Sequence, residues 1–504
     1  MLQKPIAESH LEAEELSNQI KIIMTKKTLL WLRNDLRLSD NPALNFAVNN
    51  GDQVIIAYIL DEKNHRQIGH ASKWWLNHSL ENLNANLKNK LNFYYGDSQQ
   101  ILTEIINNNE IQTIVWNRCY EPSRIAQDSK IKNFFKEQNI EVKSFNGSLL
   151  WEPFEVLKSD LKPYKVFTHY YRNGCLKKPA PRFPEQKPKK INAIKDNQSL
   201  TLNDLKLLPK IKWDKIMSQY WQIGEDFAQQ KLRDFVSSAL SDYKEGRNFP
   251  TQKKVSQLSP HLHFGEISAN QIWYYATTHF GDKLNDKNLD CFLSELGWRE
   301  FSNYLLFHFP HITNKNFQPR FDNFQFQENQ DYLEAWQKGK TGYPIVDAGM
   351  RELWQTGYMH NRVRMIVGSF LVKNLLIDWR KGEEWFFDCL VDANLASNCA
   401  SWQWVAGSGA DAAPYFRIFN PVLQGEKFDS TGQYTRHFIP ELKNIPDKYL
   451  FTPWLASKDI LKQANIELGK NYPLPIIDLE KSRNLALLAF KSLPKISNDD
   501  KLHG

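Results

Sequence analysis

The stretch SELGWREF places an acid, Glu295, three and four residues ahead of Trp298 and Arg299. On a helix those three share roughly one face. An acid beside an indole can hydrogen-bond a flat ring while the indole stacks on it. The same spacing also makes an ordinary Glu295–Arg299 salt bridge. A second stretch, NCASWQWVAGSGADAAPYFRIFNP (398–421), sets Asn398 four residues before Trp402 and therefore on its face. Trp404 is turned about 200° from Trp402. One indole can then face a buried cofactor and the other a surface pocket, or both can belong to the core. The small residues that follow let a ring or a neighbouring backbone come close. A third stretch, MHNRVRM (359–365), leads Asn361, Arg362 and Arg364 into the apolar run MIVGSFLVKNLLIDW. A cation facing inward there needs an acid, and Asp392 suits Arg364. Arg362 or Asn361 is then left to face a ligand, unless the set is the solvated start of a helix.

Other patterns exclude more than they suggest. GKT at 339–341 lacks the glycine of a phosphate loop, since Glu334 stands five residues before Gly339; a turn into Pro344 is expected instead. No GxGxxG follows a strand, so an ordinary dinucleotide fingerprint is missing. The five cysteines, Cys119, Cys175, Cys291, Cys389 and Cys399, form no CxxC, which argues for a reducing cytoplasm and against disulfides or zinc. MIVGSFLVKNLLIDW is short and contains Lys373, so it is expected to be one buried helix and not a membrane span. The polar, acidic first residues hold no signal-peptide core, and residues 1–25 are expected to be a tail or a misassigned start. Sixteen Trp, 19 Tyr and 30 Phe favour stacking on something flat or simply an aromatic core, and the net charge of +7 is weak support for a polyanionic partner.

These side chains need a scaffold, and 504 residues allow two or three domains. From residue 28, short β-rich runs alternate with helical patterns such as WLNHSLENLNANLKN. The runs are TLLWLR (28–33), QVIIAYIL (53–60), LNFYYGD (91–97), TIVWNR (113–118) and EVKSF (141–145). This alternation predicts an α/β unit with a doubly wound parallel sheet. A Lys- and Pro-rich connector follows, with RNGCLKKPAPRFPEQKPKKINAIKDNQ at its centre, expected to be extended on the surface. From about residue 224 to 490 the pattern is mainly helical, giving an all-α second unit.

Taken together, LLWLRNDLRLSDNPAL, SELGWREF, WQKGKTGYPIVDAGMREL, MHNRVRM and WQWVAGSGADAAPYFRIFNPVLQGEKFD resemble the photolyase/cryptochrome family. The likeness is nearest to bacterial cyclobutane pyrimidine dimer photolyases and spans about 26–490, most densely 291–442. It implies an α/β antenna domain (26–155), a connector (156–223), a helical FAD-binding catalytic domain (224–490) and a C-terminal tail (491–504). It implies repair of UV-damaged DNA, with reduced FAD lending an electron to a flipped-out dimer under blue light; flipping is needed because a stacked base cannot be reached. Glu295, Trp298 and Trp404 match the residues around the dimer, and Asn361, Arg362 and Met365 those bordering lesion and DNA. Arg247 and Gln424 match DNA contacts. For FAD, Tyr243 and the stretch Val255, Ser256, Gln257, Leu258 and Ser259 match phosphate contacts; Asn398 matches the side chain beside flavin N5 and Arg364–Asp392 an ion pair next to the ring. Phe292, Arg299, Ala393 and Asn394 complete the expected FAD set. Val255 and Asn394 depart from the usual Thr and acid.

Trp402 and Trp379 match the first members of a tryptophan chain that supplies electrons, but Phe326 holds the place of the usual outer tryptophan. Phenylalanine is a poor donor, so Trp354, Trp385 or a nearby tyrosine is the expected replacement. The resemblance also implies an antenna chromophore, 5,10-methenyltetrahydrofolate ahead of a deazaflavin, although NRCYEPSR (117–124) fits no folate pattern clearly. A monomer in the cytoplasm is expected. Two alternatives stay in view. A cryptochrome-type blue-light receptor is opposed by the intact Glu295, Trp298 and Trp404 and by a chain that ends soon after KSRNLALLAFKSL. A (6-4) photolyase is opposed by Asn361, which stands where the family's catalytic His would be, next to His360.

Overall fold

The computed structural model describes residues 26–280, 286–412 and 416–494. Residues 1–25 and Tyr415 lie outside the described residues, as does the tail beyond 494. The α/β unit runs β1 (Lys27–Leu32), α1 (Pro42–Asn50), β2 (Gln53–Leu60), α2 (His70–Asn86), β3 (Leu91–Tyr95), α3 (Ser98–Asn109), β4 (Thr113–Asn117), α4 (Pro122–Glu137) and β5 (Glu141–Phe145). All strands pair in parallel, in the order β3-β2-β1-β4-β5, so the expected doubly wound sheet is present. Helices cover both faces of such a sheet, which is why β2 is apolar from Val54 to Leu60 and buried throughout. Leu29, Ile55 and Ile114 face one helical layer, while Leu30, Ile56 and Val115 face the other. Each such side chain contributes about 1.5–3 kcal/mol on burial. Polar groups gather at the carboxyl ends of the strands, where these sheets take ligands. Arg33 pairs with Asp128 at 2.7 Å. Burial opposes ionisation of Asp61, but bonds from Asn64, Ser98 and Gln127 win and hold its carboxyl down at about 2.

The connector does two things. Its first part buries Tyr170, Tyr171 and Cys175 in the core of the helical domain. Its second part is extended and pinned to the sheet, with Ala193 bridging Val54 and Leu200 bridging Phe93. Lys187, Lys189 and Lys190 stay exposed.

The helices that shape the second domain are α5 (Glu225–Ser238), α6 (Lys287–His308), α7 (Pro344–Thr356), α8 (Asn361–Ser369), α9 (Trp379–Cys389), α10 (Leu395–Ala406), α11 (Pro421–Phe428) and α12 (Leu479–Lys491). MIVGSFLVKNLLIDW corrects the expectation of one buried helix. After Ser369 the chain widens into a π-turn at Phe370–Asn374, and Leu376 takes a positive φ of 53°. Asp378 then caps α9 by accepting from the Arg380 N–H at 2.9 Å. The segment leaves the α-helix while remaining largely buried, and apolar content reports burial, not helical continuity. The GKT stretch forms the expected turn: Gly339 and Gly342 take φ of 59° and 80°, and Asp347 of α7 accepts from the Thr341 N–H at 2.7 Å. Among the described residues no helix is long and apolar enough to cross a membrane. No His, Cys, Asp and Glu group among them suits a metal ion. The five cysteines are free.

Candidate active site

A cavity of about 570 Å³ lies between α6, α8 and α10. On α6, Glu295, Trp298 and Arg299 fall on the cavity face, as their spacing requires. The Glu295–Arg299 salt bridge does not form. Glu295 Oε1 instead accepts from Arg247 Nη1, so the residue expected on DNA is here the partner of the expected dimer-binding acid. Arg299 Nη1 turns back to the Ser148 carbonyl at 2.9 Å and to Glu300 Oε1 at 3.1 Å. Burial pushes the Glu300 carboxyl up to about 7, against the pull of Arg299 and the N–H groups of Leu150 and Trp151. Behind Trp298, the ring of Phe167 stacks at 3.9 Å between centroids and 10° between planes. The Phe167 N–H donates to Asp411 Oδ2 at 3.2 Å. The acid inside the GSGADA stretch therefore anchors the wall behind the indole. No spacing rule links Phe167 to Trp298, and its type is common in this chain.

The FAD-type residues line the same space from the other side. Arg364 Nη2 meets Asp392 at 3.0 and 3.1 Å and Arg364 Nε donates to the Met359 carbonyl at 2.7 Å. The expected ion pair is thus formed, and Ser259 Oγ joins it by donating to Asp392 at 2.6 Å. Tyr243, Ser256, Leu258, Phe292, Ala393 and Asn394 border the cavity, as do Asn361 and Met365. Val255 and Gln257 do not; Gln257 is exposed, with φ of 50°. Arg362 and Gln424 also lie outside its wall. The Arg362 guanidinium sits 4.5 Å over Phe428 of α11, the helix that carries half-buried Gln424, and donates to Asn248. His263, absent from the sequence-based set, borders the cavity with Nδ1 lacking a hydrogen-bond partner among the described residues. Burial lowers its pKa to about 4, leaving it neutral. A lone histidine carries no spacing signal, so nothing in the sequence marked it.

Helix α10 starts at Asn394, whose side chain accepts from the Ser397 N–H at 3.0 Å, and stops at Gly407, whose φ is 92°. Its Asn398, Trp402 and Trp404 all border one continuous cavity, not two separate pockets. Trp402 is buried, with Phe386 at 4.9 Å and Trp336 at 6.1 Å between centroids. A Cβ on Gly382 would stand 2.2 Å from Trp402 Cη2, so only glycine lets that ring lie on α9. On the same helix Trp379 is fully buried, donating Nε1–H to Asn316 at 2.9 Å. Phe326 packs on Phe324 at 4.8 Å. Trp385, also on α9, stacks on Trp354 at 6.0 Å and 3°, and Trp354 is 64% exposed. The volume, the hydroxyls of Ser256 and Ser259, the unpartnered His263 nitrogen and the indole walls fit a long aromatic cofactor with polar parts, such as FAD.

Residues 28–189 match the family model for DNA photolyase, and residues 292–492 that for the FAD binding domain of DNA photolyase. A deoxyribodipyrimidine photo-lyase of Agrobacterium fabrum is 48% identical over 478 residues, spanning 94% of this chain and 99% of the relative. Cryptochrome-1 of Arabidopsis thaliana is 35% identical over 475 residues, spanning 90% of this chain and 69% of the relative. The crystal structure of a bacterial class III photolyase from Agrobacterium tumefaciens superposes with a TM-score of 0.89 at 48% identity, covering 93% of this chain and 98% of that one. The chain belongs to the photolyase/cryptochrome family.

Proposed function

We propose that this protein is a light-driven lyase that splits cyclobutane pyrimidine dimers in DNA. The observation that carries the proposal is the single cavity in which Glu295, Trp298 and Trp404 meet Asn398, Trp402 and the Arg364–Asp392 pair. The chemistry that bound FAD supplies is a light-driven loan of one electron, returned when the two bonds joining the pyrimidines have broken. No net oxidation results, so no co-substrate is consumed. Glu295 accepts hydrogen bonds from the flipped base, while Trp298 and Trp404 provide flat walls for it. Asn361 and Met365 border the lesion. Tyr243, Ser256, Ser259 and His263 hold the polar part of the cofactor, and Arg364 with Asp392 flanks its ring. Arg247, Arg362 and Gln424 approach the DNA backbone.

Trp402 and Trp379 feed electrons inward, and the stacked Trp385–Trp354 pair, with Trp354 at the surface, supplies the link to water that Phe326 does not. A folate antenna, 5,10-methenyltetrahydrofolate ahead of a deazaflavin, serves the α/β domain. The protein works as a monomer in the cytoplasm, a reducing compartment that free cysteines suit.

A blue-light receptor is the second reading, favoured by the likeness to a cryptochrome. For a (6-4) photolyase the geometry is unfavourable: His360 Nδ1 is taken by the Arg362 N–H at 3.2 Å. Burial, helped by Arg362, lowers the His360 pKa to about 4. Competition binding separates the readings. With FAD bound, a thymine-dimer duplex is expected to outcompete its undamaged twin by a large factor, because a damaged step is cheaper to unstack. Equal affinity for the two duplexes would overturn the lyase in favour of the receptor.

A further inference from the structure

Asn398 is oriented by Glu383 of α9, and Glu383 in turn pairs with a residue of the α/β domain. Asn398 Nδ2 donates to Glu383 Oε1 at 2.8 Å and to the Glu383 carbonyl at 3.0 Å. A carboxylate and a carbonyl only accept, so the NH2 must face them. The Oδ1 is the end left for the cavity that Asn398 borders. As a carboxylate Glu383 offers acceptors alone, which suits this arrangement, and its side chain is 7% exposed. The cation that matches it is Arg66, with Nη1 to Oε1 at 2.7 Å and Nη2 to Oε2 at 3.0 Å. Arg66 lies in the loop between β2 and α2 of the α/β domain, its guanidinium 3.7 Å over the ring of Phe387. Cys399 Sγ approaches the same Oε1 at 3.7 Å. Glu121 is the other acid within reach of Arg66 at this seam, and His70 pairs with Asp388 beside it at 2.6 Å.

A forked guanidinium–carboxylate pair fixes both position and charge. Without Arg66, Glu383 would be a buried charge facing an amide and a thiol, an arrangement that is costly and that favours the neutral acid. A neutral acid carries an O–H that can donate to Asn398 Oδ1, so the amide is held in its orientation by the Glu383 backbone carbonyl alone and no longer by the carboxylate as well.

We propose that Arg66 is a positioning residue for the flavin: acting through Glu383, it holds the Asn398 carbonyl toward the bound ring. This rests on the FAD site proposed above. A carbonyl there favours ring forms that carry a proton at the facing nitrogen, so Arg66 makes the bound flavin easier to reduce. A contact between domains thereby sets the redox state that repair requires.

The test compares FAD-loaded Arg66→Gln, Glu383→Gln and the double variant with wild type by midpoint-potential titration. Both single variants are expected to lower the potential, and the double variant no further. The reduced protein should reoxidise in air about tenfold faster, the size of one charge-assisted hydrogen bond. Arg66→Lys should shift the potential in the same direction but less, and it carries the test if Arg66→Gln fails to fold. Asp388→Asn removes another contact across the same seam and should leave the potential unmoved. On the apoprotein, infrared spectra of Arg66→Gln should gain a carboxylic-acid C=O band that Arg66→Gln/Glu383→Gln lacks. A potential unchanged in Arg66→Gln, or shifted equally by Asp388→Asn, overturns the proposal. Wild type that binds no FAD overturns the function as well; wild type that binds FAD and repairs, with unmoved variants, overturns this proposal alone.

Discussion

Glu295 has two claimants, Arg247 in the free protein and the flipped base in the complex. The pair is partly exposed, so exchanging it costs little: exposed ion pairs contribute about 0–1 kcal/mol. Glu295→Ala is expected to lower repair yield about tenfold or more, the weight of a lost hydrogen bond to a charged group. Bound FAD should be nearly unchanged. Full repair in that variant, measured on a defined oligonucleotide, would remove Glu295 from the lesion site. Arg247→Ala should weaken binding to damaged and undamaged DNA alike and reduce the salt slope by about one. An unchanged slope would make Arg247 only the partner of Glu295. The Arg364–Asp392 pair was legible in the sequence because a buried cation must find an acid. The partner of Glu295 was not, because Arg247 follows a separate short helix, Tyr243–Gly246, and no local spacing joins the two.

On the proposed electron route, helix α9 is the organising element. It carries Trp379, Gly382 and Trp385 within two turns, and the Trp402 ring lies on Gly382. Gly382→Ala should cost about 1–3 kcal/mol through overpacking and should slow photoreduction, because Trp402 must move. Photoreduction in the presence of an external donor locates the exit. Trp379→Phe should be strongly impaired if Trp379 follows Trp402, and Trp354→Phe slowed several-fold if electrons enter at the surface pair. Wild-type rates in Trp354→Phe would place the exit elsewhere, whatever the loss in Trp379→Phe. The strands could be read because short apolar and aromatic runs that alternate with helical patterns have few other uses. The break between α8 and α9 could not, since Phe370–Ile377 stays buried while the backbone leaves the α-helix.

Across the whole molecule, buried acids tie the parts together and set the response to pH. Burial pushes both Glu300 and Glu352 up to about 7; Arg299 and the Leu150 and Trp151 N–H groups oppose this at Glu300, and the Tyr434 hydroxyl and His360 N–H at Glu352. The folded protein therefore binds these protons more tightly than the unfolded chain. Their contribution is complete below the ordinary carboxylate value and is lost as pH rises through about 7. Melting temperature measured between about pH 5 and pH 8 should fall less steeply in Glu352→Gln than in wild type. A parallel pair of curves would contradict this. The two-domain architecture was readable from the change of hydrophobic period. The contacts that join the domains, Phe167 to Trp298 by way of the connector and Arg66 to Glu383, pair residues far apart in the chain and leave no local pattern.

In the proposed function, light and this cavity together undo a dimer. The direct measurement is the loss of thymine dimers from a defined oligonucleotide, with the flavin fully reduced, under blue light and in darkness. Dimers are expected to be lost in the light and to persist in the dark. Dimers that persist under illumination with reduced FAD in place would contradict the proposed function.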